Sequence, residues 1–236
     1  MEIIPKGAVV DTYAFYDGKL EFNIASRDIF VNAHTISKPV YMFWQCLRHD
    51  PRRLHEMVTS DSFKFGDNDI FTILQDMWYT HNSPFITASM FFILNRCSAN
   101  GLISSGDLKL ENYTPLSLAH LKGFKFPDNF HLNLSEKDPL EAIQQKGDAG
   151  YTLIPAGRFT YNLFEYGKNI AIEETPINHR RLSEIMQKVP SKIIAVYDYN
   201  PAIFTVFKEN NITMIDQYGK RTDKKSMAEE VIVANF

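Results

Sequence analysis

KIIAVYDYNPAIFTVFKENNITMID, residues 192–216, decides the fold. KIIAVYD (192–198) is apolar along nearly its whole length, as in a strand covered on both faces. Asn200-Pro201 then opens a helix candidate, PAIFTVFKEN, with proline in its first turn. NITMIDQY (211–218) returns to strand character, and EEVIVANF (229–236) follows after about ten polar, basic residues with no helix between. Upstream, INHRRLSEIMQKV (177–189) places Ile177, Arg181, Leu182, Ile185, Met186 and Val189 on a helical period, which Pro190 ends. GYTLI (150–154) reads as a short buried strand leading into a loop with Pro155 and Gly157, and DPLEAIQQ (138–145) as a helix. Alternating strands and helices imply a mostly parallel α/β sheet, and the last two strands imply an antiparallel hairpin on its edge.

The first half is patterned differently. AVVDTYAFYDGKLEFNIA (8–25) has two alternating runs around Asp17-Gly18, which predicts a β-hairpin. DIFVNA (28–33) predicts another strand. From Lys38 the pattern becomes helical, through PVYMFWQCL and RRLHEMV with a bend at Asp50-Pro51. Residues 69–95 carry aromatic and Met residues at helical spacing, broken near Asn82-Ser83-Pro84, and predict two buried helices. The expected organisation is one domain over 1–236 with a helical insertion at roughly 61–115.

Composition bounds the function. A chain of 236 residues and 27.2 kDa, 44% hydrophobic and 22% charged, has the makings of a packed core and is not a disordered segment. No apolar run approaches the roughly 18 residues of a membrane span, so no membrane partner is expected. The formal charge is -3. The basic clusters Lys220, Arg221, Lys224, Lys225, with Arg52-Arg53 and Arg180-Arg181, read first as solvated surface, which permits nucleic acid without indicating it. Cys46 and Cys97 sit in apolar helical stretches, and buried free thiols imply a reducing setting. The start, Met1-Glu2-Ile3-Ile4-Pro5-Lys6, does not read as a signal peptide, so a cytoplasmic setting, bacterial or phage-infected, is expected. The seven histidines show no ligand spacing, so no metal is assigned. Nucleophile-elbow, Walker and dinucleotide-binding motifs are missing from the sequence.

Four segments together resemble the Dam-type DNA adenine N-6 methyltransferases. FFILNRCSANGLISSG (91–106) is similar to that family's L-N-R-x-x-x-N-G-L stretch, with Leu94, Asn95, Arg96, Asn100, Gly101 and Leu102 in place. KIIAVYDYNPAIFTVFKENNITMID (192–216) resembles its late strand, turn and helix. KKSMAEEVIVANF (224–236) resembles its closing strand. VNAHTISKPVYMFWQCLRHDP (31–51) is similar to the strand and helix after its cofactor loop. The resemblance implies a Rossmann-like methyltransferase sheet and a role on DNA, with Asn95, Arg96 and Asn100 as DNA- or partner-facing residues. The family's arginine after Asn-Gly-Leu is replaced by Ser104-Ser105.

The chemical motifs of that family are overwritten. Its F-x-G-x-G cofactor turn corresponds to Ile3-Ile4-Pro5-Lys6-Gly7-Ala8-Val9, with the degenerate slot at Pro5, Lys6 and Gly7. The acid expected at the end of the second strand, for the cofactor ribose, falls on His34 or Thr35, which cannot accept two hydroxyl bonds as a carboxylate does. The catalytic D-P-P-Y slot reads Ile154-Pro155-Ala156-Gly157, without the acid that holds the target amine or the ring that stacks on a flipped base. Tyr197-Asp198-Tyr199-Asn200-Pro201 superficially resembles a shuffled motif, but reads as a strand end and helix cap.

Three readings stand. The first is a catalytically degenerate relative that binds DNA or serves as partner or scaffold beside an active methyltransferase or another protein subunit, with no cofactor. The second is an active, divergent enzyme using S-adenosylmethionine, its acid drawn from Asp11, Asp28 or Glu165. The third is a structural or inhibitory protein without nucleic-acid contact.

Overall fold

The computed structural model describes residues 3–61, 63, 66–99, 103–147, 149–157 and 178–236. These form two compact units: a sheet unit from residues up to Ile36, from Pro127 to 157 and from 178 onward, and a helical unit from Ser37 to Phe126. The helical unit encloses the expected 61–115 segment.

In the sheet unit, β1 (Val9–Tyr13), β2 (Phe30–Thr35), β3 (Phe130–Leu134), β4 (Tyr151–Gly157), β5 (Lys192–Asp198), β6 (Asn211–Asp216) and β7 (Ala228–Ala234) make one sheet in the order β3-β2-β1-β4-β5-β7-β6. β7 runs antiparallel to both β5 and β6, and the other pairings are parallel, so β6 shares the direction of β5. The α/β class and the closing antiparallel hairpin are thus as expected. β5 lies inside the sheet, between β4 and β7, because it can be buried on both faces: Ile193, Ile194, Ala195 and Tyr197 are all buried.

Helices cover both faces. On one, α7 (Pro139–Gln145), α8 (His179–Lys188) and the single turn α9 (Ile203–Val206) bring Leu140, Ile143, Leu182, Ile185, Met186 and Ile203 against Ile154, Ile193, Ala195, Val231 and Val233. On the other, α1 (Lys19–Ala25) places Leu20 and Ile24 over Val10, Leu153 and Ile194.

α1 overturns the expected hairpin. Gly18 adopts φ 71°, and Asp17 Oδ1 accepts from Lys19 N at 3.0 Å, which starts a helix rather than a two-residue strand turn. An ideal Cβ on Gly18 would lie 2.2 Å from the Phe22 ring, so glycine serves both backbone and packing here. Leu20, Phe22 and Ile24 alternate like a strand, yet Leu20 and Ile24 are also one helical turn apart. Over five residues the two periods coincide.

β4 also continues beyond the expected loop, through Pro155 to Gly157. β1 pairs with β4 only as far as Thr12 and Leu153, whereas Pro155 and Gly157 still pair with Val196 and Tyr197. Once β1 has diverged, the side of β4 facing it needs no ladder donor, so proline is tolerated there. The register shifts between Pro155 and Gly157. The helix expected over 201–210 reduces to α9 and flanking turns.

The helical unit contains α2 (Lys38–His49), α3 (Pro51–Thr59), α4 (Asn68–Met77), α5 (Pro84–Cys97) and α6 (Pro115–Gly123). Proline stands in the first turn of α2, α3, α5 and α6, where no intrahelical donor is lost. The bend at Asp50-Pro51 is the α2–α3 junction, with Asp50 Oδ1 capping Arg53 N at 2.9 Å. α5 is apolar on most of its circumference and buries residues from Thr87 through Leu94 and Cys97. Phe43 of α2 packs on Phe91 and Phe92 of α5. Buried Gln75 donates to the carbonyls of Ile103 and Gly106, pinning that turn. No helix among the described residues is long and apolar enough to cross a membrane.

Candidate functional site

The strand order reverses between β1 and β4. In open α/β sheets, ligands settle outside the carboxyl ends of the strands at such a switch point, because the connections diverge there to opposite faces and leave a crevice. A cleft of about 720 Å³ lies at this place, within the sheet unit. Its walls are the turn after β1 with α1 (Ala14, Tyr16, Asp17, Lys19, Leu20, Glu21, Asn23 and Arg27), the end of β4 (Pro155, Ala156, Gly157), the end of β5 (Val196, Tyr197, Asp198) and the hairpin residues Gly219 and Glu230.

Ala14 is held at φ 71°, a conformation L residues rarely adopt, directly where the chain leaves β1. Phe15 N then donates to His34 O at 3.0 Å, tying the turn to the end of β2. Glu21, in the first turn of α1, is 1% exposed, and Thr12 Oγ1 of β1 donates to its Oε1 at 3.0 Å. Burial pushes the Glu21 carboxyl up to about 7, against the opposing hydrogen bonds from its own backbone and Thr12. Asp17, Asp198 and Glu230 add exposed carboxylates to the cleft, and Lys19 and Arg27 add cations. Tyr197 is fully buried, with its hydroxyl 3.1 Å from His179 Nδ1, and burial raises the phenol well above its ordinary value.

Of the residues singled out from sequence, Ile154, Pro155, Ala156 and Gly157 form the last four positions of β4. Pro155, Ala156 and Gly157 line the cleft, while Ile154 faces the core. Pro5, Lys6 and Gly7 stand elsewhere: they precede β1, at the amino edge of the sheet, where Gly7 N donates to Asp28 O at 2.8 Å and Lys6 Nζ lies 3.7 Å from Asp28 Oδ2. The turn that follows the first strand and enters a helix is Ala14–Gly18. The hairpin expected at Asp17-Gly18 left no helix for such a turn to enter, whereas α1 begins there.

His34 does end β2, with Thr35, but it opens on a second recess of about 430 Å³ with Asp11, Tyr13, Ser135, Lys137 and Lys146. There it stacks on Tyr13 at 4.9 Å, and its Nε2 is 4.0 Å from Asp11 Oδ1. Lys146 Nζ meets Asp11 Oδ2 at 2.5 Å. Burial alone would raise the Asp11 carboxyl, but His34, the Lys146 ammonium and Asn32 together hold it well below the usual carboxylate range. Asp11 is thus spent in a structural ion pair, and Asp28 sits at the opposite edge with Lys6. Neither lines the cleft, and Glu165, Phe159 and Tyr161 lie outside the described residues.

Asn95 and Arg96 belong to the last turn of α5 in the helical unit, with the Arg96 guanidinium 5.8 Å from the Phe92 ring centroid. Asn100 lies outside the described residues. Sequence reasoning missed Glu21 and Thr12. The only signal for Glu21 was its spacing from Ala25, i to i+4, once the segment is read as helix. It rejected the segment carrying Asp198, which nevertheless reaches the cleft. Among the described residues no group of three or more His, Cys, Asp or Glu side chains is placed to hold a metal. Compared with known protein families and with curated proteins, the chain matches none.

Proposed function

We propose that this chain is a degenerate Dam-type adenine methyltransferase-like protein that binds DNA or serves a partner subunit, its sheet a Rossmann-like methyltransferase scaffold. The order over β3-β2-β1-β4-β5 is that of doubly wound nucleotide-binding sheets, and the antiparallel strand inserted next to β5 agrees with the resemblance. One observation carries the reading. The carboxyl end of β4, beside the switch-point cleft, reads Ile154-Pro155-Ala156-Gly157 and offers neither acid nor ring in the tetrapeptide slot.

The cleft fits S-adenosylmethionine in part. Its volume suits a nucleoside-sized ligand, Glu21 and Asp198 could accept from hydroxyl or ammonium groups, and Lys19 or Arg27 could meet a carboxylate. When bound, that cofactor supplies an electrophilic methyl group. Loss of a charged hydrogen-bond partner and a stacking ring, about 1.5–3 and 1–3 kcal/mol, would slow transfer by roughly two to four decades.

A second reading, an active divergent enzyme, draws on a separate observation: Glu21 and Asp198 bring carboxyl groups into the cleft from α1 and β5. Calorimetric titration with S-adenosylmethionine, paired with a methyl-transfer assay on adenine-containing duplex DNA, separates the two. The degenerate reading expects no transfer and at most weak cofactor binding. Micromolar binding with transfer that Glu21→Gln or Asp198→Asn abolishes would replace it by the active enzyme. Absence of DNA binding in a salt-dependent shift assay would leave a protein-partner role.

A further inference from the structure

The loop joining β6 to β7 carries Lys220, Arg221, Lys224 and Lys225. All four are exposed, and among the described residues none has a carboxylate within ion-pair distance. Because β6 runs parallel to β5, this loop leaves from the carboxyl edge of the sheet, and its Gly219 forms part of the cleft wall.

The turn is rigidly built. Asp216 Oδ1 accepts from Tyr218 N and Lys220 N, each at 2.9 Å, and Asp216 O accepts from Gly219 N at 2.9 Å. Gly219 supplies the positive φ of 74° that the turn needs. The result is Tyr218, 73% exposed, held at the tip. Further along the same edge, Tyr199 meets Phe204 at 6.4 Å, and Lys225 Nζ stands 5.2 Å from the Phe204 ring centroid. Asp223, Glu229 and Glu230 are also exposed nearby. With a chain charge of -3 as well, long-range attraction of a polyanion is weak, and any grip must come from direct contact.

We propose that this loop is a contact surface for single-stranded nucleic acid, in which Lys220, Arg221 and Lys224 meet phosphates and Tyr218 is a stacking platform for one base. Unpaired cations beside an exposed ring are the combination that grips an unstacked strand, since a base inside a duplex cannot offer its face to the ring. This deepens the DNA-binding part of the reading above and rests on it. It places the contact on the β6–β7 loop and not on Asn95 and Arg96.

The test is fluorescence anisotropy of the full chain with a labelled single-stranded oligonucleotide of about 20 nucleotides, without S-adenosylmethionine, alongside a duplex of the same sequence. Three phosphate contacts predict roughly 20-fold weaker binding on going from 50 to 200 mM salt. The combined variant Lys220→Ala, Arg221→Ala, Lys224→Ala should lose that salt dependence. Tyr218→Ala should weaken single-strand binding at least roughly fivefold and leave the duplex unchanged. Circular dichroism of each variant checks folding, and all four positions are exposed. Strand binding that ignores these substitutions overturns the loop assignment and leaves DNA binding standing. No strand or duplex binding by the wild type overturns both. Capture by anionic phosphatidylserine vesicles in place of the strand would reassign the loop to a membrane surface.

Discussion

Replacing Glu21 with Gln should make this protein's stability markedly less dependent on pH. Glu21 is 1% exposed and its carboxyl is pushed up to about 7 from an ordinary 4.5, chiefly by burial. The folded state therefore holds a proton that the unfolded chain has already released between those values. Stability from this group is fully present below about 4.5, falls as pH rises towards 7, and levels off above it. The rise from 4.5 to about 7 is worth roughly 3 kcal/mol over the whole titration, of which about 2–3 kcal/mol is lost between pH 5 and pH 8. Asp11 does not contribute in that window, because its carboxyl is ionised throughout. Glutamine keeps the shape and an acceptor for Thr12 Oγ1 while removing the charge. Urea denaturation of wild type and Glu21→Gln, at pH 5 and pH 8, measures four stabilities whose double difference isolates the carboxyl. About 2–3 kcal/mol is expected, with the variant the relatively more stable protein at pH 8. A double difference below about 1 kcal/mol would mean that Glu21 is ionised in the folded protein, and that the floor of the cleft is wetter than its burial implies.

Three further outcomes follow from the same packing. Lys146→Met should cost about 3 kcal/mol at pH 7 by taking the ammonium from a charged Asp11 and leaving it only His34 and Asn32, and less near pH 3, where the freed carboxyl can take a proton; chemical denaturation at both pH values checks this. Gly18→Ala should cost about 1–2 kcal/mol through its φ of 71° and the Phe22 ring; adding Phe22→Leu should recover only the contact, so a double variant as stable as wild type would show that backbone strain plays no part. Trp78 is buried and its Nε1 has no partner among the described residues, so Trp78→Phe should change the denaturation midpoint by less than about 1 kcal/mol equivalent, against about 3–5 for Trp78→Ala.

How far the amino-acid order could be read varies along the chain. β5, β6, β7, α7 and α8 were legible because long one-sided or fully apolar runs admit one period only. β3 was not: in Phe130–Leu134 only Phe130 and Leu132 turn inward, and an edge strand of five residues leaves too short a pattern. The cleft was half legible. Pro155, Ala156 and Gly157 were found from the order of segments, and they line it. The turn after β1 and the helix it enters were not legible, because Asp17-Gly18 serves a helix start as well as it serves a hairpin.

Composition and periodicity alone therefore determined an α/β sheet with a closing antiparallel hairpin and a run of buried helices. Those features depend on which face of a segment is apolar, and that is written locally. Only the tertiary structure decided that β1 parts from β4 after Thr12 and Leu153, that Glu21 and Asp198 enter the crevice this opens, and that Asp11 and His34 face a different recess. These outcomes turn on contacts between residues far apart in the chain, and on which neighbour a strand keeps beyond its last shared rung.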